Sequence, residues 1–307
     1  MKKLLSIAVS FAILLLIYSQ LDKAAFGAAL MRTDPFLLGL SLVILVLLIF
    51  ASALRLKQLG AAAEFPITAN TAIQTIFAAN ALNLLLPGKL GDVLKASLMA
   101  ADDKKRLPTA IALGIWEKLS ELALLFLLAA PAFALQGGQY QMAAMTGLAG
   151  SAGLTVLLWS PPLRWLPRGS VAEIGIAWTD LLRRLRSQPQ STIRVLLMSS
   201  FIWLTHLLQI CIMVAALGVS GNVNLWLGIV ALLPIAIFAG LLPLTFAGVG
   251  TRDAALVLLL GPSIGAETAA ALGVLFWLRY LVPGLLGIYF LPRFFRVAAQ
   301  HAWWRTR

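Results

Sequence analysis

The sequence predicts an all-α polytopic membrane protein with about six spanning helices and two re-entrant helical hairpins in an inverted repeat. Three observations carry that expectation. The chain is 61% hydrophobic and 12% charged, with mean hydropathy +0.92, against roughly 25% charged residues in soluble domains. Several apolar runs are long enough to cross a hydrocarbon core about 30 Å thick. Finally, two runs break in the same way half a chain apart. One is Leu84-Leu85-Leu86-Pro87-Gly88-Lys89-Leu90-Gly91-Asp92; the other runs from Leu241-Leu242-Pro243 through Gly248-Val249-Gly250-Thr251-Arg252-Asp253. In each, an apolar segment reaches a proline, passes through glycines and restarts as a short arm with a basic residue and an aspartate. The prolines at 87 and 243 lie 156 positions apart. Broken apolar segments at matching places in two halves point to a substrate site in transporter-like folds.

The N-terminal run follows Lys2 and Lys3 and resembles a signal peptide, but nothing downstream reads as a secreted domain, so a retained span over 4–21 is favoured. The other predicted spans are 36–54, 108–135, 140–160, 193–218 and 267–291. Cytoplasmic loops carry excess Lys and Arg. Arg55 and Lys57 follow the second span, Lys104, Lys105 and Arg106 precede the third, and Arg183, Arg184 and Arg186 lie in the linker. The loops 136–139 and 219–223 hold no charge. That asymmetry places both termini in the cytoplasm; the loop after the first span, with Asp22, Lys23, Arg32 and Asp34, is mixed.

The stretch 67–107 has basic loops at both ends, so it enters and returns on one face. Its return arm, 93–101, reaches only about 14 Å at 1.5 Å per residue. The stretch 224–262, with the arm 254–260, lies between uncharged loops and opens to the other face. Eight full crossings with a kink near each proline are the competing reading, because tilt leaves span lengths loose. Spans starting at 36 and 193, and at 108 and 267, repeat the offset at 157 and 159. One membrane domain, 1–307, thus contains pseudo-repeat halves of about 36–135 and 193–291. The linker 161–193 places Val171, Ile174, Trp178, Leu181 and Leu185 at helical spacing, as an interfacial amphipathic helix whose arginines meet lipid headgroups. Trp303 and Trp304 read as a further interfacial anchor.

Charge inside apolar spans is expensive, so it faces the interior and pairs. Glu117, Lys118 and Glu121 interrupt the span 108–135, with the glutamates on one helical face and Lys118 projecting elsewhere. Arg279 lies 158 positions after Glu121, and Arg252 lies 157 after Lys95, so each pair is pseudo-equivalent. Glu117, Glu121 and Arg279 are expected to face each other at mid-membrane, with Lys95 and Arg252 nearer the hairpin tips. Either these charges hold the repeats together or they line a polar cavity for a charged headgroup; the second reading is preferred because charges and breaks coincide in both halves. The candidate substrate-binding residues are Lys89, Asp92, Lys95, Glu117, Glu121, Arg252, Asp253 and Arg279. The candidate loop-forming residues are Pro87, Gly88, Gly91, Pro243, Gly248 and Gly250. Asp92 and Asp253 could cap their arms through backbone N–H bonds, or Lys89 and Arg252 with those arms could hold a phosphate.

Other chemistry has little support. The only cysteine is Cys211 and the only histidines are His206 and His301, which leaves no intramolecular disulfide and no zinc set. His206 reads as a packing residue rather than a proton relay. The net charge of +12 sits in loops beside apolar spans, which fits headgroups and not nucleic acid. No nucleophile elbow or phosphate loop is present. No catalytic residue, metal ligand or cofactor is nominated.

These residues support a resemblance. Asn83 through Asp92 followed by Lys95 is similar to the first signature of the flippase-like family that includes the transmembrane region of lysylphosphatidylglycerol synthases. Glu117-Lys118 with Glu121 resembles its acidic–basic motif, and Gly248 through Asp253 its second glycine signature. Lys89, Lys95 and Lys118 stand where the family usually has Arg, and lysine does not reproduce the bidentate guanidinium. The resemblance implies re-entrant helices around a lipid cavity, in a bacterial inner (cytoplasmic) membrane. Its implied function is movement of an anionic lipid or lipid-linked precursor. A membrane-embedded transferase on a lipid substrate is one alternative. A non-catalytic accessory subunit, partnering a lipid or glycan biosynthesis complex, is the other. Without the soluble synthase domain, lipid aminoacylation by this chain alone is not expected.

Overall fold

The computed structural model describes residues 2–86, 90–101, 103–136, 141–160, 170–240, 245 and 248–300. Among them the secondary structure is helical, with no strand. The first half runs α1 (Lys2–Ser19), α2 (Lys23–Met31), α3 (Pro35–Ala62), α4 (Ala69–Leu85), α5 (Leu90–Met99), α6 (Leu107–Gln136) and α7 (Gln141–Trp159). Then follow α8 (Ser170–Ser187), α9 (Pro189–Ala216), α10 (Val223–Ala239), α11 (Thr251–Ile264), α12 (Ala266–Ile288) and α13 (Leu291–Gln300). Each of the six expected spans is a helix. By length and composition α3, α9 and α12 can cross a bilayer, and α1 with α2 would add a fourth span bent by 99°. The protein is an integral membrane protein.

Local chemistry explains where the helices begin. Asp34 accepts hydrogen bonds from the backbone N–H of Phe36 and Leu37, ahead of Pro35 in the first turn. Proline fits there because its missing N–H would have no helical partner. Pro189 opens α9 in the same manner. Thr68 caps α4 at Thr71 N, and Asn222 caps α10 at Leu225 N. The two halves thus share starting chemistry, and α3 and α9 share a length of 28 residues, as α4 and α10 share 17.

The long helices α3 and α9 pack side by side. Gln209 donates to the Ser41 carbonyl at 2.8 Å, Asp34 N to the Ala216 carbonyl at 2.7 Å, and Arg55 Nη1 to Ser199 Oγ at 3.4 Å. Rising numbers on α3 meet falling numbers on α9, so the pair is antiparallel. Around this seam α4 packs on α5 and on α12, while α10 packs on α11 and on α6. Exchanging α4, α5 and α6 for α10, α11 and α12 leaves this set of neighbours unchanged.

Glycine brings the backbones together. A Cβ on Gly287 would collide with the Phe77 carbonyl, and one on Gly284 would come within 2.7 Å of the Leu84 side chain. Gly91 was expected in a loop but lies inside α5, where a Cβ would strike the Ala79 carbonyl of α4. Gly248 (φ 76°) and Gly250 (φ 99°) do form a turn, in a backbone region that side chains disfavour. Pro87, Gly88, Lys89 and Pro243 lie outside the described residues.

Three other expectations shift. The helix α3 continues to Ala62, which places Arg55 and Lys57 inside it and not in a loop. The arm α11 has 14 residues because it starts earlier, at Thr251, and continues past Leu260 to Ile264. Two of the three arginines of α8 meet protein carbonyls: Arg184 donates to Ala63 and Glu64 at 3.2 Å, and Arg186 to Trp159 at 2.6 Å, while Arg183 stays exposed beside Asp180. Those carbonyls end α3 and α7, where the helix dipole attracts cations. Leu181, Leu182 and Leu185 of α8 are buried in the core.

Candidate functional site

Charged side chains from α3, α5 and α6 converge in the apolar interior. Glu117 is almost fully buried, and its two carboxylate oxygens accept from Arg55 Nη2 and Lys95 Nζ. Arg55 Nη2 also reaches Glu121 at 2.6 Å. The other oxygen of Glu121 takes Lys118 Nζ at 2.8 Å, and Lys118 in turn meets Asp92 at 2.9 Å. Asn83 on α4 donates to Asp92 at 2.9 Å. Six charges, three of each sign, therefore form one chain through α3, α6 and α5, with α4 attached by a neutral bond. A lone buried charge would cost several kcal/mol; mutual pairing offsets that cost.

This network forms one wall of a cavity of about 200 Å³. The opposite wall comes from α9, α10 and α12, including Trp203, His206, Ile237, Arg279 and Tyr280. Arg279 donates to His206 Nδ1 at 2.7 Å and its guanidinium lies 5.0 Å from the Phe276 ring centre. Asp92, Lys95, Glu117, Glu121 and Arg279 all line this one cavity, where Lys95, expected nearer a hairpin tip, pairs directly with Glu117. Glu121 and Arg279 do not pair there: Glu121 is taken by Arg55 and Lys118, and Arg279 by His206.

Arg252 and Asp253 stand apart. Arg252 is 1% exposed, pairs with Asp253 at 2.8 Å and reaches the Gly273 carbonyl at 3.5 Å. Its guanidinium sits 5.0 Å from the Phe276 ring and 5.3 Å from that of Tyr280. Asp253 also accepts from the Gly250 backbone N–H at 2.9 Å, so it caps the start of α11. Asp253 borders a second, largely apolar groove with Leu14, Tyr18, Val274 and Trp277. Lys89 is outside the described residues.

Two members of the network escaped sequence reasoning. Arg55 was read as a loop cation, although Ser41, Leu45, Leu48, Ser52 and Arg55 share one helical face, a signal that could have placed it inside. Lys118 was expected to project away from the glutamates. Its long flexible stem instead carries the ammonium round to Glu121. His206, read as a packing residue, is the partner of Arg279.

Among the described residues the arrangement shows no nucleophile–base pair; it offers fixed charges, a polar cavity between two groups of helices, and one cation whose hydrogen-bond partner is a histidine. No curated protein matches the chain. A family model described as the lysylphosphatidylglycerol synthase transmembrane region matches residues 3–287. With that coverage added to its helices and its intramembrane charges, the chain belongs to the lysylphosphatidylglycerol synthase transmembrane-region family.

Proposed function

We propose that this protein is a flippase-like carrier that moves an anionic lipid, or a lipid-linked precursor, between the leaflets of a bacterial inner membrane. Family membership supports a membrane-lipid role. The observation that carries the finer reading is the cavity itself, which lies between two like sets of helices and takes charged residues from both. In this reading α4–α5 and α10–α11 are re-entrant hairpins, the two sets are inverted repeats, six helices cross fully and both termini are cytoplasmic. The antiparallel α3–α9 seam and the exchangeable neighbour pattern support the inverted repeat. Alternating access then amounts to one set rocking against the other around a fixed polar site. The lipid headgroup enters the cavity while the acyl chains stay in the bilayer.

Purified protein in liposomes holding a fluorescent anionic phospholipid is the test. Reconstituted protein is expected to expose the inner-leaflet probe to an external quencher without altering it covalently. The neutral pair Asp92→Asn with Lys118→Gln is expected to lower that rate at least tenfold per folded molecule. A covalently altered lipid would establish the transferase instead. Neither movement nor product, from folded protein, would leave the accessory-subunit role.

A further inference from the structure

We propose that Arg279, with His206 and Trp203, forms a receptor for a single phosphate monoanion inside the central cavity, and that the six-charge network beside it is not where the anion sits. The inference deepens the lipid-carrier reading and rests on it for the source of the phosphate.

Charge balance within the cavity comes first. Among the described residues lining it are four cations, Arg55, Lys95, Lys118 and Arg279, and three carboxylates, Asp92, Glu117 and Glu121. The first three cations are matched with the three carboxylates in ion pairs. Arg279 has no carboxylate partner among the described residues. One positive charge is therefore left over, and it is localised on Arg279. A buried guanidinium without a counter-ion is costly, and a ligand carrying one negative charge removes that cost.

Hydrogen-bonding capacity points to the same place. A guanidinium only donates, so His206 Nδ1 accepts from Arg279 and the imidazole proton is on Nε2. The Nε–H of Arg279 and the indole N–H of Trp203 are buried and have no hydrogen-bond partner. Trp203 and His206 are a turn apart on α9, with their rings 5.6 Å from centre to centre. This corner of the cavity thus brings together donors from α9 and α12, the two helices that meet there. Phosphate oxygens accept from such donors, and arginine matches their geometry with a fork of N–H groups. The network on the facing wall differs, because both oxygens of Glu117 and both of Glu121 are already engaged there. An arriving phosphate would have to break ion pairs to bind on that side.

The shared ligand chemistry is a phosphate with one net negative charge, whether the phosphodiester of a lipid headgroup or a free phosphate ion. The experiment separates them by calorimetric titration of the detergent-purified full chain. The probes are dihexanoyl phosphatidylglycerol, dihexanoyl phosphatidylcholine and inorganic phosphate. The expected result is tightest binding of the glycerol lipid, with the zwitterionic choline lipid at least tenfold weaker. Arg279→Gln is expected to weaken the glycerol lipid by about tenfold to a hundredfold, the usual scale for losing a charge-assisted hydrogen bond. Trp203→Phe, which keeps a ring and removes only the N–H, is expected to weaken it severalfold. Arg183→Gln, on the exposed face of α8, removes one positive charge elsewhere and should change nothing. Unaltered affinity in folded Arg279→Gln overturns the proposal, as does failure of the wild type to bind any of the three probes. Should Arg279→Gln not fold, unaltered affinity in Trp203→Phe overturns it. Equal binding of inorganic phosphate and lipid would uphold the receptor and remove the lipid-carrier reading. Undiminished lipid movement in liposomes with loss-free binding by Arg279→Gln would do the reverse.

Discussion

Arg55 shows how much one side chain can hold in this protein. It is 3% exposed, joins Glu117 to Glu121, and touches Ser199 across the α3–α9 seam. Replacing one partner of a buried ion pair strands the other charge, which typically costs about 3–5 kcal/mol. Arg55→Ala is accordingly expected to lower the thermal midpoint of the purified protein sharply, as measured by loss of monodisperse protein on heating in detergent. Combining Arg55→Met with Lys95→Met, Glu117→Leu and Glu121→Leu should recover much of the loss, because removing two cations with two carboxylates leaves Lys118 paired with Asp92 and no stranded charge. If the quadruple replacement is no better than Arg55→Ala, packing rather than charge holds this region together. Sequence reasoning found Glu117 and Glu121 because charge in an apolar run is costly unless it faces the interior and pairs. It missed Arg55 because a cation near the end of a span already has one, in the orientation rule for loops. The reach of a lysine stem depends on three-dimensional neighbours, so Lys118 was also misjudged, and the same dependence hid which residue His206 would hydrogen-bond.

Besides side chain against side chain, helices in this protein meet at two kinds of contact, backbone against backbone and side chain against helix end. Gly287 belongs to the first kind: a methyl group there would enter the Phe77 carbonyl, which is part of a helix and has no room to yield. Gly287→Ala is expected to cost about 3 kcal/mol, the upper part of the range for overpacking, and to separate α12 from α4. Folded yield after detergent extraction measures it, with Gly153→Ala as the control because nothing lies within 4 Å of its Cβ position. Arg184 belongs to the second kind, and its side chain is 40% exposed. Loss of its bonds to the end of α3 in Arg184→Ala should cost only about 1 kcal/mol, visible as a small drop in midpoint and not as misfolding. Most helices were legible from apolar run length. The short helices α2 and α13 were not, since nine or ten residues beside a longer apolar run read as its loop or tail. Glycine at a helix crossing and glycine in a turn look alike in sequence, which is why Gly91 was misassigned.

At the scale of the whole molecule, the proposed inverted repeat makes a statement about sidedness. In a Cys211→Ser background, cysteines at Asn70 and Ser187 are expected to stay protected from an impermeant thiol reagent in sealed, right-side-out cells. Cysteines at Ser220 and Ser263 are expected to react. All four positions are exposed on the protein surface. Labelling of Asn70 and Ser220 from the same side would rule out the opposed hairpins. The all-helical membrane character was readable because insertion in a bilayer imposes apolar run length on the sequence itself. The division of the cavity into a matched ionic wall and a wall with one surplus cation was not, because it depends on which residues share a corner after folding.

The α3–α9 seam has a mechanical consequence. Its contacts at Ser41–Gln209 and Arg55–Ser199 bracket the middle of both helices, where Leu48 and Ile202 stand level and buried. For two bodies that rock about a common pivot, material at the pivot hardly moves while the rims sweep through the largest arcs. If the protein is the carrier proposed above, a covalent staple between cysteines at 48 and 202 should therefore let it cycle, whereas one between cysteines at 126 and 238, where Phe126 and Phe238 now meet at 5.6 Å, should jam it. Transport before and after reduction of each staple gives the comparison. A molecule stopped equally by both would have no fulcrum along this seam.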